Sequence, residues 1–192
     1  FTKWVLDQTL SQLASWREKG CDLCVSINFS MKNFYDSTIF DLIHQSLQKY
    51  KIPAQKLEIE VTETAFAANL HQVADVLHTL REMGVRIAID DFGTGQSSLH
   101  YLLELPLDVV KIDQVFIRNM LENPDAEAIV RSAILLGHEL KLEVVGEGVQ
   151  SEAEFRKLRD LRCDYGQVFY FAEPMASDFI SSWLLKESPQ SR

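Results

Sequence analysis

Two adjacent carboxylates, Asp90 and Asp91, follow the apolar run Ile87-Ala88-Ile89 and precede Phe92-Gly93-Thr94-Gly95. Neighbouring carboxylates repel, and burying them is costly unless cations or hydrogen bonds compensate. A site for divalent metal puts that repulsion to use. Other polar residues stand at the C-terminal ends of further apolar, β-branched runs: Asn28, Glu60 and Glu63, Lys111 and Asp113, Glu147 and Gln167. One Asn with several carboxylates forms an oxygen-rich set that suits Mg²⁺, Mn²⁺ or Ca²⁺ rather than zinc. The doublet can bridge two ions, and ions about 3.5–4 Å apart can activate water and stabilise both oxygens of a phosphoryl displacement. Lys111 can orient or help deprotonate the water, neutralise a phosphate, or simply pair with Asp113 or Asp91. Gln167 can bond water or ligand, or be an amide satisfied by backbone. The Gly93-Thr94-Gly95 loop can close over the site or be only a tight turn.

The elements that must position these groups alternate along the chain. Apolar periodicity predicts helices over 3–17, 38–51, 70–83, 97–103, 125–140, 152–161 and 177–185. Strands are predicted over 24–30, 56–62, 86–91, 108–113, 142–145 and 166–171. Such βα alternation implies a parallel sheet with helices outside, and the edge at the strands' C-terminal ends carries the site in those folds. An eight-stranded barrel typically needs ~250 residues, and 192 are present, a shortfall of roughly two βα units at ~30 residues each. Two architectures therefore remain: an open doubly wound sheet, or a barrel whose opening strands are absent.

Composition narrows the function. With 46% hydrophobic and 24% charged residues, the chain has enough apolar material for one globular domain, expected over 1–187 with 188–192 as a frayed tail. Net charge is −9 with no basic block, which argues against electrostatic binding to duplex DNA or anionic lipid. No stretch approaches the ~20 apolar residues of a membrane span, and neither a signal peptide nor an initiator Met opens the chain. Cys21, Cys24 and Cys163 cannot build a four-cysteine zinc site and read as reduced thiols of a cytoplasmic domain. The five histidines, His44, His71, His78, His100 and His138, fall in predicted helices away from the strand ends. No G-x-G-x-x-G follows a strand, and Trp4 and Trp16 fit helix packing better than base stacking.

The motifs resemble, in order, those of the EAL-domain cyclic-di-GMP phosphodiesterases. They are Val25-Ser26-Ile27-Asn28-Phe29-Ser30, Leu57-Glu58-Ile59-Glu60-Val61-Thr62-Glu63-Thr64, Asp90-Asp91-Phe92-Gly93-Thr94-Gly95, Lys111-Ile112-Asp113, Glu147-Gly148-Val149 and Cys163-Asp164-Tyr165-Gly166-Gln167. The resemblance implies a (βα)₈ TIM-like barrel of which about six βα units are present, the first two strands and the Glu-Ala-Leu signature having no counterpart here. It implies that Asn28, Glu60, Asp90, Asp91 and Glu147 ligate two Mg²⁺ or Mn²⁺ ions. Lys111, Glu147 and Gln167 would act on the attacking water, Asp113 would support the metals or Lys111, and Glu63 would brace the Gly93-Thr94-Gly95 loop. The implied reaction is hydrolysis of cyclic di-GMP to linear pGpG in bacterial signalling, in a protein fused to sensory or GGDEF-type modules. A homodimer fits the same picture, as does the cytoplasmic part of a membrane-anchored protein. Gln150 stands where the family usually has an acid, Gln96 where it has Tyr, Gly146 where it has Ala, and Val168 where it has Gly. These departures frame the alternative, an impaired domain that binds cyclic di-GMP as an effector or mediates protein interaction.

Overall fold

Period-two alternation sorts the strand residues into an oily outer face and an inner face that carries most of the charged groups. A computed structural model describes residues 1–63, 70–94, 99–170 and 172–187. Among these residues the strands are β1 (Val25–Phe29), β2 (Leu57–Thr62), β3 (Arg86–Phe92), β4 (Val109–Ile112), β5 (Glu143–Val149) and β6 (Tyr165–Val168). All neighbours pair in parallel, in the order β1-β2-β3-β4-β5-β6. That order removes the doubly wound alternative, which requires the strand order to reverse at a switch point.

Outward-facing Leu57, Ile59, Val61 and Ile87 are fully buried under helices, each burial stabilising the fold by roughly 1.5–3 kcal/mol. The opposite face bears Ser26, Glu58, Arg86, Val109, Val145 and Tyr165, from all six strands, around one cavity of about 380 Å³. A flat sheet cannot converge its two edge strands on one cavity, so the sheet is curled, as a partial TIM barrel.

The helices among the described residues are α1 (Thr2–Glu18), α2 (Met31–Phe34), α3 (Ile39–Tyr50), α4 (Leu70–Glu82), α5 (Leu99–Glu104), α6 (Gln114–Asn119), α7 (Pro124–Glu139), α8 (Glu152–Asp160) and α9 (Ser177–Glu187). α1 buries Leu6, Leu10, Leu13 and Trp16 at helical spacing. Trp4 lies off that stripe and is 63% exposed, contrary to the packing role expected of it. Asp7 ties α1 to α3 through Lys49 Nζ at 2.6 Å and Tyr50 Oη at 2.7 Å. α7 begins at an Asn123 cap with Pro124 next, and α8 at a reciprocal Ser151–Glu154 capping box.

Several elements differ from expectation: α2 was not foreseen, and β6 spans Tyr165–Val168 where 166–171 was expected. β5 runs on to Val149 instead of stopping at 145, because Gly146 and Gly148 continue it rather than break it. α6 was not foreseen: Asp113, expected to end β4, instead caps this helix by accepting a hydrogen bond from Val115 N at 2.6 Å. Ser97, Ser98, Phe171 and the tail 188–192 lie outside the described residues.

α7 approaches β5 closely enough that a Cβ on Gly137 would sit 2.4 Å from Val144 Cγ2. Gly137→Ala is therefore expected to destabilise the domain by about 1–3 kcal/mol, the usual penalty of overpacking. Urea unfolding followed by circular dichroism checks this, and an unchanged midpoint would show that the interface yields freely.

Candidate active site

The inward positions near the C-terminal ends of β2, β3, β4 and β5 bring together Glu60, Asp90, Lys111 and Glu147. Their sequence neighbours Ile59, Val61, Ile89 and Ile112 point outward and anchor each strand in the core. Lys111 Nζ lies 2.6 Å from Glu147 Oε1, 2.8 Å from Glu60 Oε1 and 3.2 Å from Asp90 Oδ1. Lys111 and Glu60 are buried. Lys111 therefore pairs with three carboxylates on other strands, not with Asp113 or Asp91 as its sequence neighbourhood suggested. Adjacent strands lie about 4.8 Å apart, which puts like-facing side chains within reach across the sheet.

The electrostatics follow from burial. Burial alone pulls the Lys111 ammonium pKa down, but hydrogen bonds to Glu147 and Glu60 outweigh it and hold it above the ordinary lysine range. In this arrangement Lys111 is a cation, suited to orienting and neutralising rather than to taking a proton. Burial pushes the Glu147 carboxyl above its ordinary range despite Lys111. Asp91 is also raised, by burial first, then by the charge of Asp90 and its hydrogen bond with Asp113.

One ammonium cannot neutralise this many carboxylates. Asp90, Asp91 and Glu147 each offer an oxygen, all within 4.8 Å of one another. An all-oxygen donor set with unbalanced negative charge and raised carboxyl pKa values fits a hard divalent cation.

Asp91 adopts φ +56, a left-handed conformation that costs a non-glycine residue about 1–3 kcal/mol and persists only when its surroundings enforce it. Gly93 N donates to Glu63 Oε1 at 2.9 Å, and Thr94 Oγ1 donates back to Asp91 O at 2.9 Å. Asn28 stands on β1 in register with Glu60, its side chain exposed on the same inner face. Gln167 is exposed on β6, beyond Glu147, and borders a cleft of about 320 Å³ with Phe169, Glu173, Pro174, Met175 and Ile180. Gly95 lies outside the described residues.

A second polar tier, deeper in the barrel, was missed. Arg86 Nη2 lies 2.5 Å from Glu143 Oε2, and Nε lies 3.3 Å from Glu58 Oε2. Ser26 Oγ donates to Glu58 Oε1 at 2.9 Å. These residues precede Asn28, Glu60, Asp90 and Glu147 by two or four positions, so strand periodicity already placed them on the same face.

With this fold and this carboxylate rim in place, the chain belongs to the EAL domain family, whose sequence profile matches residues 1–174. It is 40% identical over 188 residues to the signaling protein YkoW of Bacillus subtilis, an overlap covering 98% of this chain and 24% of that protein. It is 34% identical over 181 residues to the cyclic di-GMP phosphodiesterase PdeR of Escherichia coli, covering 94% of this chain and 27% of that one. The chain thus spans about a quarter of the length of these curated relatives. Among solved structures, the PaMucR phosphodiesterase in complex with c-di-GMP superposes with TM-score 0.88 at 36% identity, covering 93% of this chain and 73% of that one. The EAL domain of Mycobacterium smegmatis DcpA superposes with TM-score 0.91 at 29% identity, covering 97% and 84%. Among the described residues no helix is long and apolar enough to cross a membrane.

Proposed function

We propose that this domain hydrolyses one phosphodiester bond of cyclic di-GMP, giving linear pGpG, with two Mg²⁺ or Mn²⁺ ions held by Asn28, Glu60, Asp90, Asp91 and Glu147. The observation that carries the reading is Lys111 clasped by Glu60, Asp90 and Glu147 beside the open Asp90–Asp91–Glu147 trio. When bound, the ions supply Lewis-acid polarisation of the phosphoryl group and a more acidic water. Lys111, held cationic, orients the attacking water and offsets charge building on the phosphoryl oxygens. The water oxygen bonds to phosphorus and the P–O3′ bond breaks. Glu147, within reach of Lys111 and the Asp90–Asp91 pair, accepts the water proton, while the departing 3′ oxygen takes one from solvent. Gln167 hydrogen-bonds the water or an adjacent phosphate, and Asp113 steadies Asp91. The cleft beyond Gln167 suits a flat base: Phe169, Pro174 and Met175 offer apolar contact, and Glu173 can accept hydrogen bonds from a guanine edge. Fusion to sensory or GGDEF-type modules, a cytoplasmic setting and a homodimer belong to the same proposal.

The effector reading draws on Gln150, where an acid is usual. Gln150 is exposed beyond the rim, and its backbone N donates to Glu154 Oε2 at 2.7 Å in the α8 cap. The substitution therefore takes no oxygen from the trio, and hydrolysis remains the stronger reading. Incubating the purified protein with cyclic di-GMP and Mn²⁺, and separating products by chromatography, tests it. Appearance of pGpG, abolished by chelator, is expected. Tight binding of the dinucleotide with no product would replace the enzyme by the effector reading.

A further inference from the structure

The first turn of α6 touches both strand ends that bear the carboxylates. We infer that Phe116 and Gln114 are positioning residues that lock the Asp90–Asp91 turn and the Glu147 strand end into one metal-ready arrangement, an inference that rests on the metal-dependent reading above.

β3 leaves the sheet through Asp91 and then Gly93, at φ +101. A Cβ on Gly93 would lie 2.8 Å from Phe116 Cε2 and 3.4 Å from Cζ, so the backbone there rests directly against the ring. The same residue is held through its amide by Glu63. Gly93 is thus gripped twice, by a hydrogen bond at its nitrogen and by an aromatic ring at its α-carbon. β5 passes from Glu147 to Gly148, at φ +65, where a Cβ would lie 2.6 Å from Gln114 Cβ and 3.0 Å from Gln114 Oε1. Asp113, one residue earlier, caps the helix by accepting from Val115 N. Gln114 and Phe116, two residues apart on one turn, therefore contact the end of β5 and the turn after β3.

The helix that presents them is seated in the core. Ile117 is fully buried and Met120 is 2% exposed, within a cluster that includes Val144, Val149 and Leu158. The ring and the amide side chain are consequently fixed relative to the sheet. The left-handed conformation at Asp91 is costly, so it needs such a backstop. Without the Phe116 ring, Gly93 gains free volume on that side, and Asp91 can relax toward commoner backbone angles and carry its carboxylate away from Asp90 and Glu147. Constellations of this kind tolerate only about 0.5 Å of displacement.

The test compares Phe116→Ala, Phe116→Leu and a control, Ile117→Val, which trims the same helix on its core side. Mn²⁺ binding is measured by calorimetry without substrate, hydrogen exchange at the Gly93 amide by mass spectrometry or NMR, and kcat and KM on cyclic di-GMP. Phe116→Ala is expected to weaken Mn²⁺ binding about tenfold or more, the scale reported for residues that support metal ligands. It is also expected to speed exchange at Gly93 and lower kcat more than it raises KM. Phe116→Leu, which keeps most of the volume, is expected to recover most of the affinity. Ile117→Val is expected to lower thermal stability with Mn²⁺ affinity changed less than about twofold, since it removes only a core methyl group. Phe116→Ala with unchanged Mn²⁺ affinity and Gly93 exchange, in a protein that hydrolyses the substrate, overturns the inference alone. A parent protein that binds no Mn²⁺ overturns it together with the proposed function. If Phe116→Ala fails to fold, the intermediate truncation Phe116→Val takes its place: Mn²⁺ affinity clearly below that of Ile117→Val at matched stability supports the assignment, and equal affinities overturn it.

Discussion

Glu147→Gln is expected to reduce turnover of cyclic di-GMP by about a thousandfold, the upper range for removing one preorganised electrostatic group. The change is nearly isosteric, so the fold has no reason to suffer. It strikes the site in three ways. The amide contributes no negative charge to the trio with Asp90 and Asp91, whose oxygens lie within 4.8 Å. It exchanges a charge-assisted bond at 2.6 Å to Lys111 for a weaker one. It also removes the acceptor proposed for the water proton. Raising Mn²⁺ should restore part of the metal occupancy but not the chemistry, so the defect in kcat should persist at saturating metal. If saturating metal restored the parent kcat, Glu147 would be a ligand only.

Lys111→Met is expected to have the second largest effect, and its signature is in stability as well as rate. Methionine fills a similar volume but leaves Glu60, Asp90 and Glu147 facing one another with no cation between them. Breaking a buried ion pair by removing one partner typically costs about 3–5 kcal/mol. The sign of the pH dependence follows. Carboxyl groups crowded without a counter-charge have raised pKa values when folded, so the folded state binds more protons than the unfolded one between the ordinary carboxylate range and those raised values. Stability then rises as pH falls through the raised values and levels off below the ordinary range. In the parent, Asp91 and Glu147 contribute with the same sign in weaker form, because their carboxyls are already raised. Melting curves of both proteins between about pH 4.5 and 7.5, a span bracketing the ordinary carboxylate pKa and neutrality, should show the steeper slope in the variant. Added Mn²⁺ should recover part of its lost stability by supplying the missing charge. A variant as stable as the parent at neutral pH would mean that solvent already screens the three carboxylates.

The rim was legible in the sequence because strands obey a period of two. Glu60, Asp90 and Lys111 each follow an outward-facing apolar residue, so the pattern put them on one face of successive strands, while Glu147, preceded by Gly146, was placed only at a strand end. Which of them touch could not be read the same way. Lys111 is two residues from Asp113, yet it pairs with Glu60, Asp90 and Glu147, which the parallel register brings alongside it. Asp113 itself turns outward into a cap, and the six-residue α6 that it starts is too short to leave a periodic signal. Glycines misled the reading of β5. Gly146 and Gly148 resemble strand breakers, but a Cβ on Gly146 would meet Leu158 Cδ1 at 2.7 Å, so glycine there allows close packing and the strand continues. The Ser26–Glu58–Arg86–Glu143 tier stands at strand starts, where a charged residue is as readily solvated as paired, so the sequence carries no signal that these groups meet.

The ammonium of Lys111 among its carboxylates also bears on how the chain comes to exist. Many small metalloproteins remain unfolded until their ion arrives, since ion binding supplies the free energy of folding. Here the polypeptide brings a positive charge of its own to the crowded rim. On the metal-dependent reading proposed above, maturation and loading would then be separable: a newly synthesised molecule could reach its native shape before any divalent ion arrives, and ion supply would govern when it works rather than whether it survives.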